Sequence, residues 1–296
     1  MAKPRPDRAD SPAFLPPLPG WITAAPAASL EDAAFRSGAA LAHLHRVAGQ
    51  AIVPHALWRA RLALAAAEVC VRIVGRREGV LELRDALYLL RPGDHPGPAG
   101  DILRQWSRAV ARPILAAHLG KILAGLPAEQ VAGYFKAAEG NPVERAAAVL
   151  EAVLAHAPRA ETTALILADA ALAKALGWDP LLPLLSLALK PRDLRLRGDD
   201  LRLACHRAAV AASGQAVTLA ADLARRSARL RAVVPQLRAK GAVRVVDLFL
   251  AQDALTPSGL TVLMSDRAAR RLCDRLVDLQ VVRELTGRDT FRIYGV

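Results

Sequence analysis

The sequence predicts a mainly α protein, with a multi-helical body and a C-terminal winged helix-turn-helix that carries a short β-hairpin. Two observations support this prediction. Apolar residues make up 53% of the 296-residue chain and aromatic residues only 4%, so alanine and leucine dominate, which favours closely packed helices over a β-sandwich. Apolar positions also recur at helical spacing along most of the chain and begin to alternate only near its end.

The chain divides into four predicted segments. Residues 1–29 form a proline-rich arm, because the seven prolines of residues 1–28 prevent a continuous helix. Apolar side chains of this arm can still dock on the rest of the protein. Residues 30–234 form the helical body, residues 235–240 a linker and residues 241–296 a winged-helix domain. The side chains expected to dock the arm are Phe14, Leu15, Leu18 and Trp21.

Body helices are predicted wherever apolar residues recur every three or four positions between breaks that contain glycine or proline. Alternation is lacking between residues 30 and 234, so almost no strand is expected there. No repeat of fixed period occurs, and a solenoid is therefore not expected. The predicted helices are 30–48, 55–75, 80–90, 100–122 with a bend before Pro113, 127–139, 142–156, 160–176, 181–190, 199–212 and 215–233.

After the linker, three predicted helices precede two strands. The helices are 241–253, a short one near 258–263, and one from Ser265 to Leu279. Ser265 is in position to cap the third helix through its side chain. The apolar residues of that helix follow one another at spacings of three, four and three, which predicts one buried stripe. The stripe consists of Ala269, Leu272, Leu276 and Leu279.

Four arginines lie between these apolar positions and are expected to project from the exposed side of the helix. After Gln280 the period falls to two, and turn residues at 286–289 predict a hairpin. Because a two-stranded hairpin is only marginally stable alone, Leu285, Phe291 and Ile293 should lean on the helices. The helix arginines are Arg267, Arg270, Arg271 and Arg275.

A hairpin beside an exposed basic helix is typical of a winged helix, whose helix enters the major groove of duplex DNA. Arg267 and Arg270 are expected to reach base edges, because they lie nearest the N-terminal end of the helix. Arg271, Arg275 and the wing arginines should meet phosphates. The predicted DNA-binding residues are Ser265, Arg267, Arg270, Arg271, Arg275, Arg288 and Arg292.

The distribution of charge fits a polyanionic partner. Net charge is +12, and residues 190–296 contain 20 Lys/Arg against 11 Asp/Glu, so most of the excess lies in the last third of the chain. An arginine-rich genomic composition would give the same imbalance. A basic run before the third helix is either a second phosphate-contacting strip or a solvated linker helix. Its members are Arg225, Arg226, Arg229, Arg231, Arg238, Lys240 and Arg244.

Two stretches resemble a known family. The stretch MSDRAARRLCDRLVDLQVVRELTGRDTFRIYGV at residues 264–296, together with LRDALYLLRPGDHPGPAGDILRQW at residues 83–106, resembles the bacterial domain-of-unknown-function family 1403. The likeness covers most of the chain beyond the arm. It implies a helical body with a helix-turn-helix-like end, and it implies no activity.

Motifs for catalysis, cofactors or metals are lacking in the sequence. Asp94 and His95 lie in the loop GDHPGPAG, which lacks the asparagine and arginine of the adenylyl-transferring Fic pattern and is expected to be a rigid connector. His43 and His45 are two residues apart and diverge on a helix. No Glu-x-x-His, H-E-x-x-H, G-x-x-x-x-G-K or G-x-S-x-G occurs. The acidic face formed by Glu78, Glu82 and Asp85 is expected to be solvated.

The sequence therefore predicts a cytoplasmic, non-enzymatic, regulator-like protein that binds duplex DNA. Its three cysteines are too few for a disulfide framework and are expected to be reduced core residues, and no segment suggests a membrane. The body is expected to form a homodimer or to respond to an effector of unknown identity. A protein-interaction scaffold is the alternative, and an enzyme acting on nucleotides or nucleic acid is the third. The cysteines are Cys70, Cys205 and Cys273.

Overall fold

A computed structural model describes residues 15–91, 93–123, 125–237, 239 and 241–296. Its regular structure is almost entirely helical, as the composition predicts, and residues 30–234 contain no strand within the described part. The arm contains one short helix, α1 (Gly20–Thr23), where the sequence predicts none. The helices of the body are α2 (Leu30–Ala48), α3 (His55–Ile73), α4 (Val80–Tyr88), α5 (Gly97–Val110), α6 (Ala116–Ile122), α7 (Ala128–Ala137), α8 (Pro142–His156), α9 (Glu161–Ala175), α10 (Leu185–Ala188) and α11 (Gly198–Ala232).

The C-terminal segment contains two longer helices and a small sheet. They are α12 (Ala242–Ala251), α13 (Asp266–Asp278), β1 (Arg283–Glu284) and β2 (Tyr294–Gly295). Short 3-10 turns precede α11, α12 and α13, at Asp193–Arg195, Val234–Gln236 and Ser258–Leu260.

The body is built around α9. Every residue from 164 to 173 is buried, because this helix is apolar on all sides and packs against α8, α10 and other neighbours. Around it, α2 packs along α11 and α3 packs along α5. The resulting core is continuous with residues of the C-terminal segment such as Phe249 and Leu276.

One carboxylate lies inside this core. Asp169, on α9, is fully buried and accepts hydrogen bonds from Leu185 N at 2.7 Å, Ser186 N at 3.3 Å and Ser186 Oγ at 2.7 Å. These donors belong to the first turn of α10, so Asp169 caps that helix from a distant part of the chain. Burial raises the pKa of Asp169 to about 6, although the hydrogen bonds from Ser186 and Leu185 lower it in part.

Asp169→Ala is expected to reduce the free energy of unfolding by about 3 kcal/mol, because several buried donors lose their acceptor.

The raised pKa of Asp169 also predicts that the stability depends on pH. The folded protein holds this proton more tightly than the unfolded chain, whose carboxyl has a pKa of 3.8, so the stability contribution of Asp169 falls as pH rises from about 4 to about 6. Urea unfolding at several pH values, with Asp169→Asn as the non-titrating control, measures both effects. Parallel pH profiles for wild type and Asp169→Asn would contradict the assignment.

Several helix boundaries agree with the predictions, while three require correction. Residues 30–48 and 142–156 form helices with the predicted bounds. The predicted helix 100–122 is two helices, α5 and α6, separated around Pro113. The predicted helix 181–190 is reduced to α10, because Pro183 cannot lie inside a helix and restricts the residue before it.

The third correction concerns α11. Two helices were predicted on either side of Ser213 and Gly214, but α11 runs through both as one helix of 35 residues. Glycine inside a helix costs about 1 kcal/mol relative to alanine. Packing of α11 along α2 offsets this cost, since Ser213 at the same point of the helix is fully buried.

The described part of the N-terminal arm is docked on the body. Leu15 and Ile22 are buried, and Pro16 O lies 2.9 Å from Nε2 of His43 on α2. The predicted anchoring by Leu15 is confirmed, and Leu18 is half-buried. Trp21 is 53% exposed, and its ring lies 5.6 Å, between centroids, from that of Phe35 on α2, so it meets the body at the surface rather than in the core. Phe14 lies outside the described residues.

Candidate nucleic-acid interface

Helix α13 begins where the sequence predicts. Ser265 has an extended backbone and its hydroxyl accepts a hydrogen bond from Ala268 N at 3.4 Å, so it is the N-cap. Asp266 follows in the first turn, where a negative charge favours the helix dipole. Both features define the start of the helix.

The inner face of α13 is the predicted apolar stripe with one addition. Ala269, Leu272 and Leu276 are buried, whereas Leu279 is only half-buried at the end of the helix. Cys273 is buried in the same face, and burial raises the pKa of its thiol to about 12. All three cysteines of the chain are buried and free, as predicted.

The outer face of α13 carries the predicted arginines, but they differ in their surroundings. Arg267, Arg271 and Arg275 are exposed and make no ion pair within the described part of the chain. Arg270 instead binds Asp266 through Nε at 2.9 Å, one turn earlier in the helix. Three guanidinium groups are therefore available to a ligand, and the fourth is partly engaged.

A groove runs beside this face. It has a volume of about 700 Å³ and is lined by Arg271, Arg275, Met264 and Leu237. A second groove of about 550 Å³ shares Leu237 and is lined by Arg244. The surface next to α13 is thus concave and carries arginines from two helices.

The hairpin belongs to a larger arrangement than the sequence predicted. β1 and β2 are antiparallel, with Glu284 opposite Tyr294. On its other side, Tyr294 exchanges two backbone hydrogen bonds of 2.8 Å with Leu255, which follows α12. Three chain segments therefore lie side by side with β2 in the centre. A single paired residue such as Leu255 leaves no periodic signal in the sequence.

The loop between β1 and β2, residues 285–293, is held by Glu284. Its carboxylate accepts hydrogen bonds from Thr286 N and Gly287 N, each at 2.7 Å. Burial alone would raise the pKa of Glu284, but the hydrogen bonds from Thr286 and Gly287 lower it below its usual value. The expectation that Phe291 leans on the helices is wrong. The side chain of Phe291 is 64% exposed, while Ile293 is buried as predicted.

The two arginines of this loop face the rest of the protein. Arg288 forms an ion pair with Asp85 on α4 of the body. Arg292 donates through Nε to Arg288 O at 3.0 Å and lies 4.0 Å from Asp274 on α13. The structure therefore places Arg292 beside α13 and Arg288 against α4, and it engages each with an acidic side chain.

The C-terminal segment is joined to the body through a buried carboxylate. Asp253 accepts two hydrogen bonds from Arg84, at 2.7 and 3.0 Å, and its Oδ1 lies 2.7 Å from Nε of Arg61. Arg61 also donates through Nη2 to Asp253 O at 3.2 Å and to Val296 O at 3.0 Å. Burial lowers the pKa of Arg61, and Asp253 opposes this effect. Independent folding of residues 241–296 stays a prediction, and the excised segment would lose both arginines.

The packing is close at this junction. A Cβ on Gly295 would lie 2.9 Å from Asp253 O and 3.1 Å from Nη2 of Arg61, so only glycine fits. Gly295 lies in β2, the central strand, which pairs with β1 on one side and with Leu255 on the other. The buried ion cluster and the loop that carries Arg288 are thus parts of one arrangement.

Comparison with known families agrees with the predicted resemblance. The family model described as "Protein of unknown function (DUF1403)" matches residues 6–296, nearly the whole chain. The chain belongs to the DUF1403 family. No match was found among curated proteins.

The body residues considered for chemistry have structural roles in this DUF1403 protein. Asp94 accepts a hydrogen bond from Arg91 N at 3.1 Å, which closes the turn of the GDHPGPAG loop. Glu82 accepts from Gly79 N at 3.1 Å at the start of α4, and Glu78 binds Arg76. Within the described residues, no group of three or more His, Cys, Asp or Glu side chains could hold a metal ion.

In this DUF1403 protein, some arginines of the basic run form ion pairs and others are exposed without one in the described residues. Asp222 binds Arg225 and Arg226, whereas Arg229 and Arg231 are exposed. Arg238 and Lys240 lie outside the described residues. Across the part of the chain that the structure describes, every helix is too short or too polar to cross a membrane.

Proposed function

We propose that this DUF1403 protein binds duplex DNA through α13 as a regulator-like protein of the cytoplasm, and that its C-terminal segment acts as a winged helix. The observation that supports the proposal is the exposed face of Arg267, Arg271 and Arg275, which lies between a concave groove and a hairpin loop. The order helix, bridged residue, 3-10 turn, helix and two strands supports this proposal, although the predicted second helix near 258–263 is reduced to the 3-10 turn Ser258–Leu260.

The chemistry of the face fits a nucleic acid. An α-helix can enter the major groove of B-DNA, where a guanidinium group pairs with guanine edges and with phosphates. Arg267 lies in the first turn of α13 and is suited to base edges. Arg271 and Arg275 line the groove beside the helix and are suited to the phosphate backbone. The sequence predicts that Arg270 also reaches base edges. Because Arg270 binds Asp266, we assign it a weaker contact with DNA than Arg267.

Binding of the full-length protein to mixed genomic fragments tests the proposal. Enrichment of particular sequences over random DNA, with an affinity that falls as salt increases, is the result expected of a specific regulator. Uniform salt-dependent binding would mean a non-specific DNA binder. An absence of binding at low salt would rule out DNA as the ligand.

The ion pair between Arg288 and Asp85 predicts a measurable restraint on DNA binding. If the loop arginine meets a phosphate, it must leave Asp85, and an exposed ion pair is worth up to about 1 kcal/mol. Asp85→Asn is therefore expected to raise the affinity for duplex DNA about threefold to fivefold, as measured by fluorescence anisotropy. Arg288→Ala should lower the affinity and reduce the salt slope by about one.

A matched control separates this restraint from net charge. Asp101 pairs with Arg104 on α5 instead of with a loop arginine. Asp101→Asn removes the same charge and should leave the affinity nearly unchanged. Equal gains in Asp85→Asn and Asp101→Asn would show that only net charge acts.

A protein-interaction scaffold is a second candidate, favoured by an exposed aromatic pair. Trp21 is 53% exposed and Phe35 is 68% exposed, and their ring centroids lie 5.6 Å apart on the surface of the body. Large exposed aromatic side chains that lie together are common at protein interfaces. A second copy of the chain or a different protein would cover them. Sedimentation analysis of the wild type and of the double variant Trp21→Ser, Phe35→Ser tests for the homodimer. If the wild type is a dimer held by these rings, the double variant should be a monomer.

A further inference from the structure

The body contains a groove that the DNA-binding proposal does not use. It has a volume of about 890 Å³ and lies between residues 22–27 of the arm, α2, α11 and the connection after α10. We call it the arm groove. Two arginines hold its arm-side wall, since Arg36 donates to Ala25 O at 2.7 Å and Arg207 donates to Ala27 O at 3.0 Å. The wall is therefore part of the fold.

Most of the lining is apolar and contains many small side chains. Ile22 and Pro26 line the arm side, while Leu203, Ala204 and Ala211 line the α11 side. This lining suits the hydrocarbon part of a small molecule. The volume is within the range of sites that bury most of a small ligand.

One buried side chain that lines the groove has a ring nitrogen without a hydrogen-bond partner in the described residues. His206, on α11, is 1% exposed, and its Nδ1 lies 2.7 Å from Oγ of Ser37 on α2. Both contacts of Ser37 are hydrogen bonds when its single hydroxyl proton goes to Ala34 O at 3.0 Å and His206 Nδ1 donates to Ser37, and this tautomer leaves Nε2 with its lone pair. Nε2 is buried and makes no hydrogen bond within the described part of the protein. Burial lowers the pKa of His206, although the charge of Glu144 opposes this shift, so the charged form of the ring is disfavoured. A buried acceptor of this kind is costly unless a donor reaches it.

The rim of the groove is positively charged. Lys190 and Arg192 are exposed there, and the lining also includes Arg36 and Arg207. Three carboxylates oppose these four cations, since Asp32 binds Arg36 through Nε at 2.8 Å. Asp193 accepts from Lys190 N at 2.9 Å and lies 3.7 Å from Arg192, and Asp200 is exposed. The excess of positive charge favours an anionic group at the rim.

We propose that the arm groove binds a small amphipathic carboxylic acid that carries a hydroxyl or amide donor. Its apolar part lies along the alanine- and leucine-lined walls, and its carboxylate faces Lys190 and Arg192. Its donor reaches His206 Nε2, which completes the hydrogen bonding of that ring. The body would then contain the site of a small-molecule ligand, independently of whether α13 binds DNA.

Calorimetric titration of the full-length protein, without DNA, tests the groove with three probes of equal chain length. The probes are decanoate, 3-hydroxydecanoate and decan-1-ol, each below its aggregation concentration. Decanoate is expected to bind at least about tenfold more tightly than decan-1-ol, because only decanoate carries the charge that the rim favours. The 3-hydroxy acid should bind at least about threefold more tightly than decanoate, because its hydroxyl satisfies His206.

Variants at exposed positions locate the binding without disturbing the core. The double variant Lys190→Glu, Arg192→Glu should lose at least tenfold in affinity for decanoate and little in affinity for decan-1-ol. The double variant Lys121→Glu, Arg159→Glu carries the same charge change elsewhere on the body and is its control. Ala211→Trp fills the groove and should abolish binding of all three probes. Ala228→Trp, also exposed on α11 but outside the groove, is its control.

The role of His206 has its own readout. In His206→Gln the advantage of 3-hydroxydecanoate over decanoate should disappear. If that variant does not fold, the Cε1 proton resonance of His206 in the wild type should shift with 3-hydroxydecanoate more than with decanoate. Binding that survives Ala211→Trp, equal losses in Ala211→Trp and Ala228→Trp, or an absence of binding by every probe would each overturn the proposal. None of these outcomes depends on DNA binding.

Discussion

Replacement of Arg267, Arg271 and Arg275 together by glutamate is expected to weaken binding to duplex DNA at least 100-fold. The three side chains form the unpaired basic face of α13, and the change converts three attractive groups into three repulsive ones. Each lost base contact costs about 1 to 3 kcal/mol, and lost phosphate contacts also flatten the dependence on salt. Anisotropy titrations at several salt concentrations measure both effects, and circular dichroism checks that α13 persists.

The matched control changes three exposed arginines of the body. Arg108, Arg112 and Arg159 are exposed and make no ion pair in the described part of the chain. Their replacement by glutamate alters net charge equally and should reduce affinity only slightly. Similar losses in both triple variants would mean that the overall field attracts DNA. Unchanged binding in the α13 variant would exclude this helix and favour the scaffold.

Single replacements separate the assigned roles within the same experiment. Arg267→Ala should lose affinity for the preferred fragment and little for random DNA, because a base contact discriminates between sequences. Arg275→Ala should weaken binding to both and lower the salt slope by about one unit. Identical profiles for these two variants would show that Arg267 also meets only phosphate.

Asp253→Ala is expected to lower the free energy of unfolding by about 3 to 5 kcal/mol, because it leaves buried arginines without their counter-charge. Arg84 loses both of its hydrogen bonds to Asp253, and Arg61 loses the carboxylate 2.7 Å from its Nε. The C-terminal segment should loosen from the body as well. Urea unfolding gives the free energy, and hydrogen exchange of β2 reports the loosening.

Two further variants test whether unpaired buried charge causes the loss of stability in Asp253→Ala. Asp247→Ala removes an exposed carboxylate of α12 and should change the stability by less than about 0.5 kcal/mol. Replacing Arg61 and Arg84 by methionine and Asp253 by leucine removes the whole cluster and should recover most of the loss, because no buried charge is left unpaired. Failure of this triple variant to exceed Asp253→Ala in stability would show that shape, rather than charge, determines the junction.

Local signals in the sequence were enough to predict several helices. Helix α2 begins at Ser29, whose hydroxyl accepts from Asp32 N at 3.2 Å. Helix α8 begins at Asn141, which exchanges hydrogen bonds with Glu144 in a capping box. Such caps involve residues three apart, and apolar periodicity involves residues three or four apart, so a short window of sequence contains the information. The same is true of Ser265 and the buried stripe of α13.

The sequence by itself determined the helical class, most helix positions and the outward face of the α13 arginines, because each depends on neighbours within one or two turns. Only the tertiary structure decided which charged groups are engaged. Asp253 meets Arg84 across 169 positions of sequence, and Ser37 meets His206 across the same separation. Leu255 becomes part of the sheet only because Tyr294 lies beside it. Contacts between distant positions depend on how helices pack, and side-chain spacing along one helix carries no record of its partner on another.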